Sequence, residues 1–244
     1  MSQQYSVLPR FYDLLNSEAN YSEYVAYLSS HIPQKSSVID LGCGTGNISI
    51  ALAKLGYDVT GLDLSSEMLS EAAFKSEKEK VSVFYTCQDI SDFKVPTLYD
   101  AAVSAFDSLN YITENDKLCA AFSRVSDCLK SGGLFLFDMN SPYKFETFYA
   151  DNSFVLEEDG VFCAWENYYN KKSRKCKFFI NIFAEENGVY KRYYEQQTER
   201  SYKLADIVKM LESAGFELVS VSSDFDLSPV LPDTLRYYFI ARKK

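Results

Sequence analysis

The sequence predicts an α/β protein: a mostly parallel sheet with helices on both faces, carrying an inserted antiparallel β-sheet. Three observations predict it. A short apolar run, SSVIDL at 36–41, breaks at Gly42 into a segment of helical period. Strand-like and helix-like segments then alternate as far as residue 140, the pattern of a parallel sheet covered on both sides. Beyond Pro142 the alternation stops, and residues 142–200 hold 15 of the 38 Phe, Tyr and Trp residues with no helix-length apolar periodicity.

Element by element, the stretches around Phe11 to Leu15 and Tyr24 to Leu28 read as helices. Val38, Ile39 and Leu41 form a buried parallel strand, and Ile48, Ala51, Leu52 and Leu55 then give one apolar helix face that Gly56 stops. YDVTGLDL is the second strand; Ser65 caps a helix from Met68 to Glu79 with Glu67 in its first turn. VSVFYT at 81–86 and YDAAVSAF at 99–106 are the third and fourth strands. Thr113 with Asp116 forms a capping-box variant ahead of Leu118, Phe122, Val125 and Leu129, and Gly132-Gly133 breaks that helix into a fifth strand, GLFLFDMN. In the insertion, VFCAWENYY, CKFFINIFAE and VYKRYYEQQT read as antiparallel strands. A helix through Leu204, Ile207, Val208 and Leu211 and two strands, FELVSVSS and TLRYYFIAR, close the frame. The expected units are therefore 1–141 with 201–244, and an inserted 142–200.

Composition narrows the function. The chain has 244 residues, 47% hydrophobic and 24% charged, with only 10 Gly and 6 Pro, which excludes collagen-like and low-complexity classes. No apolar stretch is long enough to span a bilayer, and MSQQYSVLPR has no leader pattern, so a cytoplasmic protein without membrane association is expected. Six scattered cysteines without C-x-x-C read as reduced thiols, and a single histidine, His31, leaves little for a zinc site or a His-dependent triad; no metal is expected. The net charge is −9, and residues 1–141 supply nearly all of the excess with 10 basic against 18 acidic residues. That field repels a phosphate backbone and disfavours nucleic acid as partner. The basic cluster KKSRKCK at 171–177 reads as a solvated turn.

The chemistry concentrates in DLGCGTG, 40–46. In a doubly wound sheet the first strand-to-helix turn borders the ligand crevice, and glycine there clears the backbone for a ligand. Asp63 ends the second strand 17 residues beyond Gly46, placed to accept hydrogen bonds from a ribose diol. Asn47 replaces the third glycine of the dinucleotide fingerprint, and no P-loop pattern occurs, so a nicotinamide dinucleotide enzyme is disfavoured. Asp40 before the glycines repels a pyrophosphate and suits a ligand bearing an ammonium and a sulfonium.

The run VIDLGCGTGNISIALAKLGYDVTGLDLSSEML resembles the cofactor-binding signature of class I S-adenosylmethionine-dependent methyltransferases, and CQDI, SAFDSLNYI, LKSGGLFLFDMNSPYK and MLESAGF extend the likeness along nearly the whole chain. It is similar to small bacterial members with a β-rich insertion after the fifth strand. The resemblance implies a seven-stranded Rossmann-like fold, S-adenosylmethionine as methyl donor, S-adenosylhomocysteine as product and a small-molecule acceptor. It implies that Gly42, Cys43, Gly44 and nearby backbone hold the methionine part, with Asp40 facing its ammonium. Asp63 binds the ribose hydroxyls, Leu64 and Met68 wall the adenine, and Gln88, Asp89 and Ile90 form the turn that reads its amino group. Ala105 and Phe106 line the methionine end, and Tyr12 and Tyr21 belong to an N-terminal cap over the cofactor. Plainer roles stand beside these: Met68 as helix core, Cys43 as a spacer, and both tyrosines as packing.

Direct displacement at the sulfonium methyl needs mainly orientation and exclusion of water. Where the acceptor must lose a proton, Asp107, Tyr111 and Glu166 are the candidate bases; Asp107 alternatively caps the following turn. The aromatic insertion is expected to lie over the acceptor as a lid, or else to form a small core or interface through Trp165, Tyr168 and Phe179. A non-catalytic cofactor-binding regulator is the competing functional class.

Overall fold

The computed structural model describes residues 9–244, so most of the MSQQYSVLPR expectation falls outside the described residues. Seven strands form one sheet in the order β10-β11-β5-β4-β1-β2-β3: β1 Ser37–Leu41, β2 Asp58–Asp63, β3 Phe84–Cys87, β4 Tyr99–Ser104, β5 Leu129–Asn140, β10 Phe216–Ser222 and β11 Arg236–Lys243. All neighbours are parallel except β11, which runs antiparallel to both β5 and β10. Strand order reverses between β1 and β4, and this opens the crevice beside the glycine turn.

Helices cover both faces. On one, α5 (Asn115–Cys128) and α7 (Leu204–Ser213) bury Phe122, Val125, Ile207 and Leu211 against Leu41, Phe135, Phe137 and Phe239. On the other, α2 (Tyr21–His31) and α3 (Asn47–Lys54) bury Leu28, Ile48 and Leu52 against Val38, Val103 and Leu136. The short α1 (Pro9–Leu15) and the long α4 (Ser66–Lys78) lie at the crevice. Ser65 caps α4 as the sequence predicts, its hydroxyl accepting from the Met68 amide at 3.1 Å.

Three boundaries differ from expectation. The third strand starts at Phe84, because Val81 is still tied back to Ser76 of α4. β5 begins at Leu129 directly after α5, running through the glycine pair that was expected to precede it. The Thr113–Asp116 capping box does not form: Glu114 is the cap residue of α5, and the Thr113 hydroxyl donates to the Glu114 carboxylate.

After β5 come α6 (Pro142–Lys144) and a single π-helical turn, Phe145–Tyr149. An antiparallel sheet follows, ordered β6-β7-β8-β9: β6 Ser153–Glu158, β7 Val161–Asn170, β8 Lys175–Glu186 and β9 Val189–Arg200. The alternation in β7 and β9 turns Val161, Cys163, Asn167 and Tyr169, and Glu195, Gln197 and Glu199, inward. The basic cluster forms the exposed β7–β8 turn and the start of β8. The sheet sits on the crevice side, where Cys163, Ile182 and Ala184 pack with Phe11 of α1 and Met68 of α4.

Candidate functional site

The site begins where β1 stops. The amides of Gly42 and Cys43 both donate to the Leu62 carbonyl, at 2.7 and 3.0 Å, which turns the chain away from the sheet. Gly42 has φ +73°, and a Cβ there would lie 2.7 Å from the Ser108 Cβ. That closeness locks the turn after β1 to the turn after β4, and the Ser108 hydroxyl reaches the Ala105 carbonyl at 2.8 Å. At Gly44 (φ +53°) a Cβ would meet nothing within 4 Å among the described residues. Its bare backbone faces a cleft whose walls include Tyr12, Tyr21, Asp40, Gly42, Cys43, Gly44, Ala105 and Phe106, all expected at the methionine end.

Two desolvated carboxylates set the electrostatics. Asp40 is fully buried and accepts from the Ser49 hydroxyl at 2.5 Å. Burial pushes its pKa up to about 7, with the Asp63 charge adding to the rise. Asp63 accepts from the Gly44 amide at 2.8 Å and the Ser65 amide at 2.9 Å. Burial raises its pKa while these backbone donors oppose the rise. The Cys43 thiol is pushed well above its ordinary range by burial and by both aspartates, which suits a spacer and not a nucleophile. A cation entering the cleft relieves the penalty of these buried acids, and the open face of Gly44 leaves room for one. The residues thus fit a positively charged nucleoside.

The other predicted cofactor residues do not line this cleft. Leu64 is exposed just after β2. Met68 is buried with Phe11, Cys163 and Ile182, so its packing role is realised. Gln88 braces its own loop, donating to the Thr86 hydroxyl at 2.9 Å and accepting from the Lys94 amide at 3.0 Å. Asp89 closes a turn onto the Ser91 amide at 2.8 Å. Ile90 comes within 3.6 Å of the position a Gly42 Cβ would take.

Of the candidate bases, Asp107 is half-buried and paired with Arg236, 2.6 Å away; its side chain does not cap the turn Ser108–Tyr111. Burial pushes its pKa above the usual carboxylate range against the pull of Arg236 and Lys144. The Tyr111 hydroxyl donates to Gln197 of β9 at 2.8 Å. Glu166 is a correction: the alternation of β7 sends it to the exposed face, away from the site.

Two groups of site residues escaped the sequence reading. Asp13 accepts from Thr45 (2.6 Å) and Asn47 (2.9 Å) and pairs with Lys75 (2.5 Å), strapping α1 across the glycine turn to α4. Asp138, fully buried on β5, accepts from the amides of Phe106 (2.7 Å) and Asp107 (2.9 Å), from the Tyr24 hydroxyl (2.6 Å) and from Arg236. The available signal was an aspartate inside the apolar strand GLFLFDMN.

Comparisons with known proteins agree with this geometry. Residues 38–133 match the family model described as a methyltransferase domain. YqeM of Bacillus subtilis (strain 168), which bears the name of a methyltransferase, is 31% identical over 233 residues, covering 95% of this chain and 94% of that protein. The crystal structure of an S-adenosylmethionine-dependent methyltransferase from Clostridium acetobutylicum superposes with a TM-score of 0.87 at 30% identity, covering 96% of each chain. The dTDP-3-amino-3,4,6-trideoxy-alpha-D-glucopyranose N,N-dimethyltransferase of Streptomyces venezuelae is 26% identical over 179 residues, 72% of this chain and 73% of that protein.

Proposed function

The chain belongs to the class I S-adenosylmethionine-dependent methyltransferases, and from that premise we propose that it moves a methyl group to a small-molecule acceptor held between the crevice and the four-stranded sheet. The carrying observation is the cleft at the reversal of strand order, with bare backbone at Gly44 between Asp40 and Asp63. S-adenosylmethionine supplies an electrophilic methyl on a sulfonium and leaves as S-adenosylhomocysteine.

The protein's own part is placement. Gly42, Cys43 and Gly44 hold the methionine end, with Asp40 toward its ammonium and Tyr12, Tyr21, Ala105 and Phe106 around it. Asp63 receives the ribose hydroxyls, and Leu64, Met68, Gln88, Asp89 and Ile90 border the adenine. The inserted sheet acts as a lid: its inner face packs on α1 and α4, and Tyr111 bonds to β9, so it lies where an acceptor is shielded from water. In-line displacement asks chiefly for this orientation. Asp107, half-buried and raised in pKa, is the base for an acceptor that must shed a proton, with Tyr111 as the second candidate.

Calorimetric titration tests the reading. Wild-type protein binds S-adenosylmethionine and S-adenosylhomocysteine, and Asp63→Ala weakens both by at least about 1 kcal/mol through the lost ribose hydrogen bonds. An unchanged dissociation constant in the variant would remove Asp63 from the site. Transfer of radiolabelled methyl to an acceptor separates an enzyme from a cofactor-binding regulator.

A further inference from the structure

Beneath the four-stranded sheet lies a group of buried and half-buried ionisable side chains, three acids against two cations. Asp107, Asp138 and Glu199 are three carboxylates; Arg236 and Lys144 are the cations acting on them. Arg236 spends its guanidinium on Asp107 and Asp138. Lys144 donates to the Asn140 side chain at 2.9 Å and lies 5.1 Å from the Tyr149 ring centre. Glu199, on the inward face of β9, is 4% exposed, and its Oε2 is buried with no hydrogen-bond partner among the described residues. Burial pushes its pKa well above the usual range and the Asp107 charge adds to this, while Lys144, Arg236 and a hydrogen bond with the Asn140 side chain oppose it. A buried carboxyl oxygen without a partner is costly, and with two cations for three acids the surroundings favour the neutral form of Glu199.

We propose that Glu199, acting with Asp107, is the recognition site for a cationic amine, so that the acceptor atom is an amine nitrogen; this rests on the methyltransferase reading above. An ammonium brings the N–H donors that Glu199 Oε2 lacks, and its positive charge lets Glu199 ionise beside it. The position is right for chemistry: Asp107 follows Phe106, which lines the cofactor cleft, and β9 is tied to the turn after Asp107 by Tyr111–Gln197 and by Asn110 donating to the Arg200 carbonyl at 2.8 Å. One of the two carboxylates takes a proton from the bound ammonium. The freed nitrogen lone pair then forms the N–C bond as the C–S bond breaks, its electron pair remaining on sulfur. The methylated nitrogen is again a cation, and the transferred proton stays on the carboxyl group until it is released to solvent after the product leaves.

The test joins two measurements on the whole protein. The small-molecule fraction of a bacterial extract is offered with radiolabelled methyl donor, untreated or after N-acylation that blocks primary and secondary amines while esters are reversed with hydroxylamine. Incorporation falls at least tenfold after blocking, and Glu199→Gln loses it while keeping its dissociation constant for S-adenosylhomocysteine. Incorporation that survives blocking overturns the amine proposal and leaves methyl transfer standing; no incorporation into either fraction overturns both. Independently, Glu199→Gln removes an acid that burial holds toward its neutral form and raises the melting temperature of the ligand-free protein by about 2 °C or more. A lower melting temperature, or failure to fold, makes Glu199 a structural partner and overturns the proposal.

Discussion

Phe106 and Asp107 are consecutive non-glycine residues with φ of +53° and +55°. Each costs of order 1–3 kcal/mol in that region and persists only where its surroundings hold it. Here the holder is Asp138, which accepts both amides, while Phe106 packs against Tyr21 and Tyr24 at 4.9 and 5.1 Å between ring centres. Asp138→Asn leaves Arg236 short of a partner and loosens this turn, so it lowers unfolding free energy by about 3 kcal/mol in urea denaturation; an unshifted midpoint would show that Asp138 holds nothing. Asp40 makes the second residue-scale prediction. Its folded pKa of about 7 lies above the unfolded value near 3.8, so the folded state binds the extra proton. The stability this confers is full below about pH 4 and lost as pH rises through 7. Asp40→Asn removes this fall, flattening the melting temperature between pH 5 and 8; a curve parallel to wild type would refute it.

At the scale of elements, α1 works as a strap. It has seven residues, too few to be helical alone, and it is fastened by Asp13 to Thr45, Asn47 and Lys75 and by Phe11 to the inserted sheet. Asp13→Ala frees the strap that carries Tyr12, and S-adenosylmethionine affinity drops about fivefold, roughly 1 kcal/mol, with circular dichroism unchanged. Equal affinity would make the strap irrelevant to binding. The helices and strands that bury a periodic face were legible in sequence, as Ile48, Leu52, Phe122 and Leu211 attest. The misses have local causes. Val81 remains bonded to the end of α4, and Gly132-Gly133 sits inside β5 because a strand tolerates glycine where another backbone comes close; a Cβ at Gly133 would meet the Asp100 carbonyl oxygen at 3.1 Å.

For the whole molecule, the four-stranded sheet rests on the larger unit through a buried contact with α1 and α4. Met68 of α4 meets Phe11, Cys163 and Ile182 there. Met68→Ala opens a cavity costing about 2–4 kcal/mol and makes the 153–200 sheet the first segment cut in limited proteolysis; uniform cleavage would count against a shared contact. The cofactor half of the site was readable from sequence because it follows one turn, Asp40 to Gly46, and one strand end, Asp63. The polar group under the second sheet was not, since Asp107, Asp138, Glu199 and Arg236 come from four strands or strand ends far apart in the chain. Their meeting depends on sheet order, which local patterns do not contain.

Arg236 belongs to β11, which comes after every other site element along the chain, and it is the residue that neutralises Asp107 and Asp138. A chain halted before Arg236 therefore leaves the β5 edge unpaired and Asp107 and Asp138 without their guanidinium, although the four-stranded sheet above them is already complete.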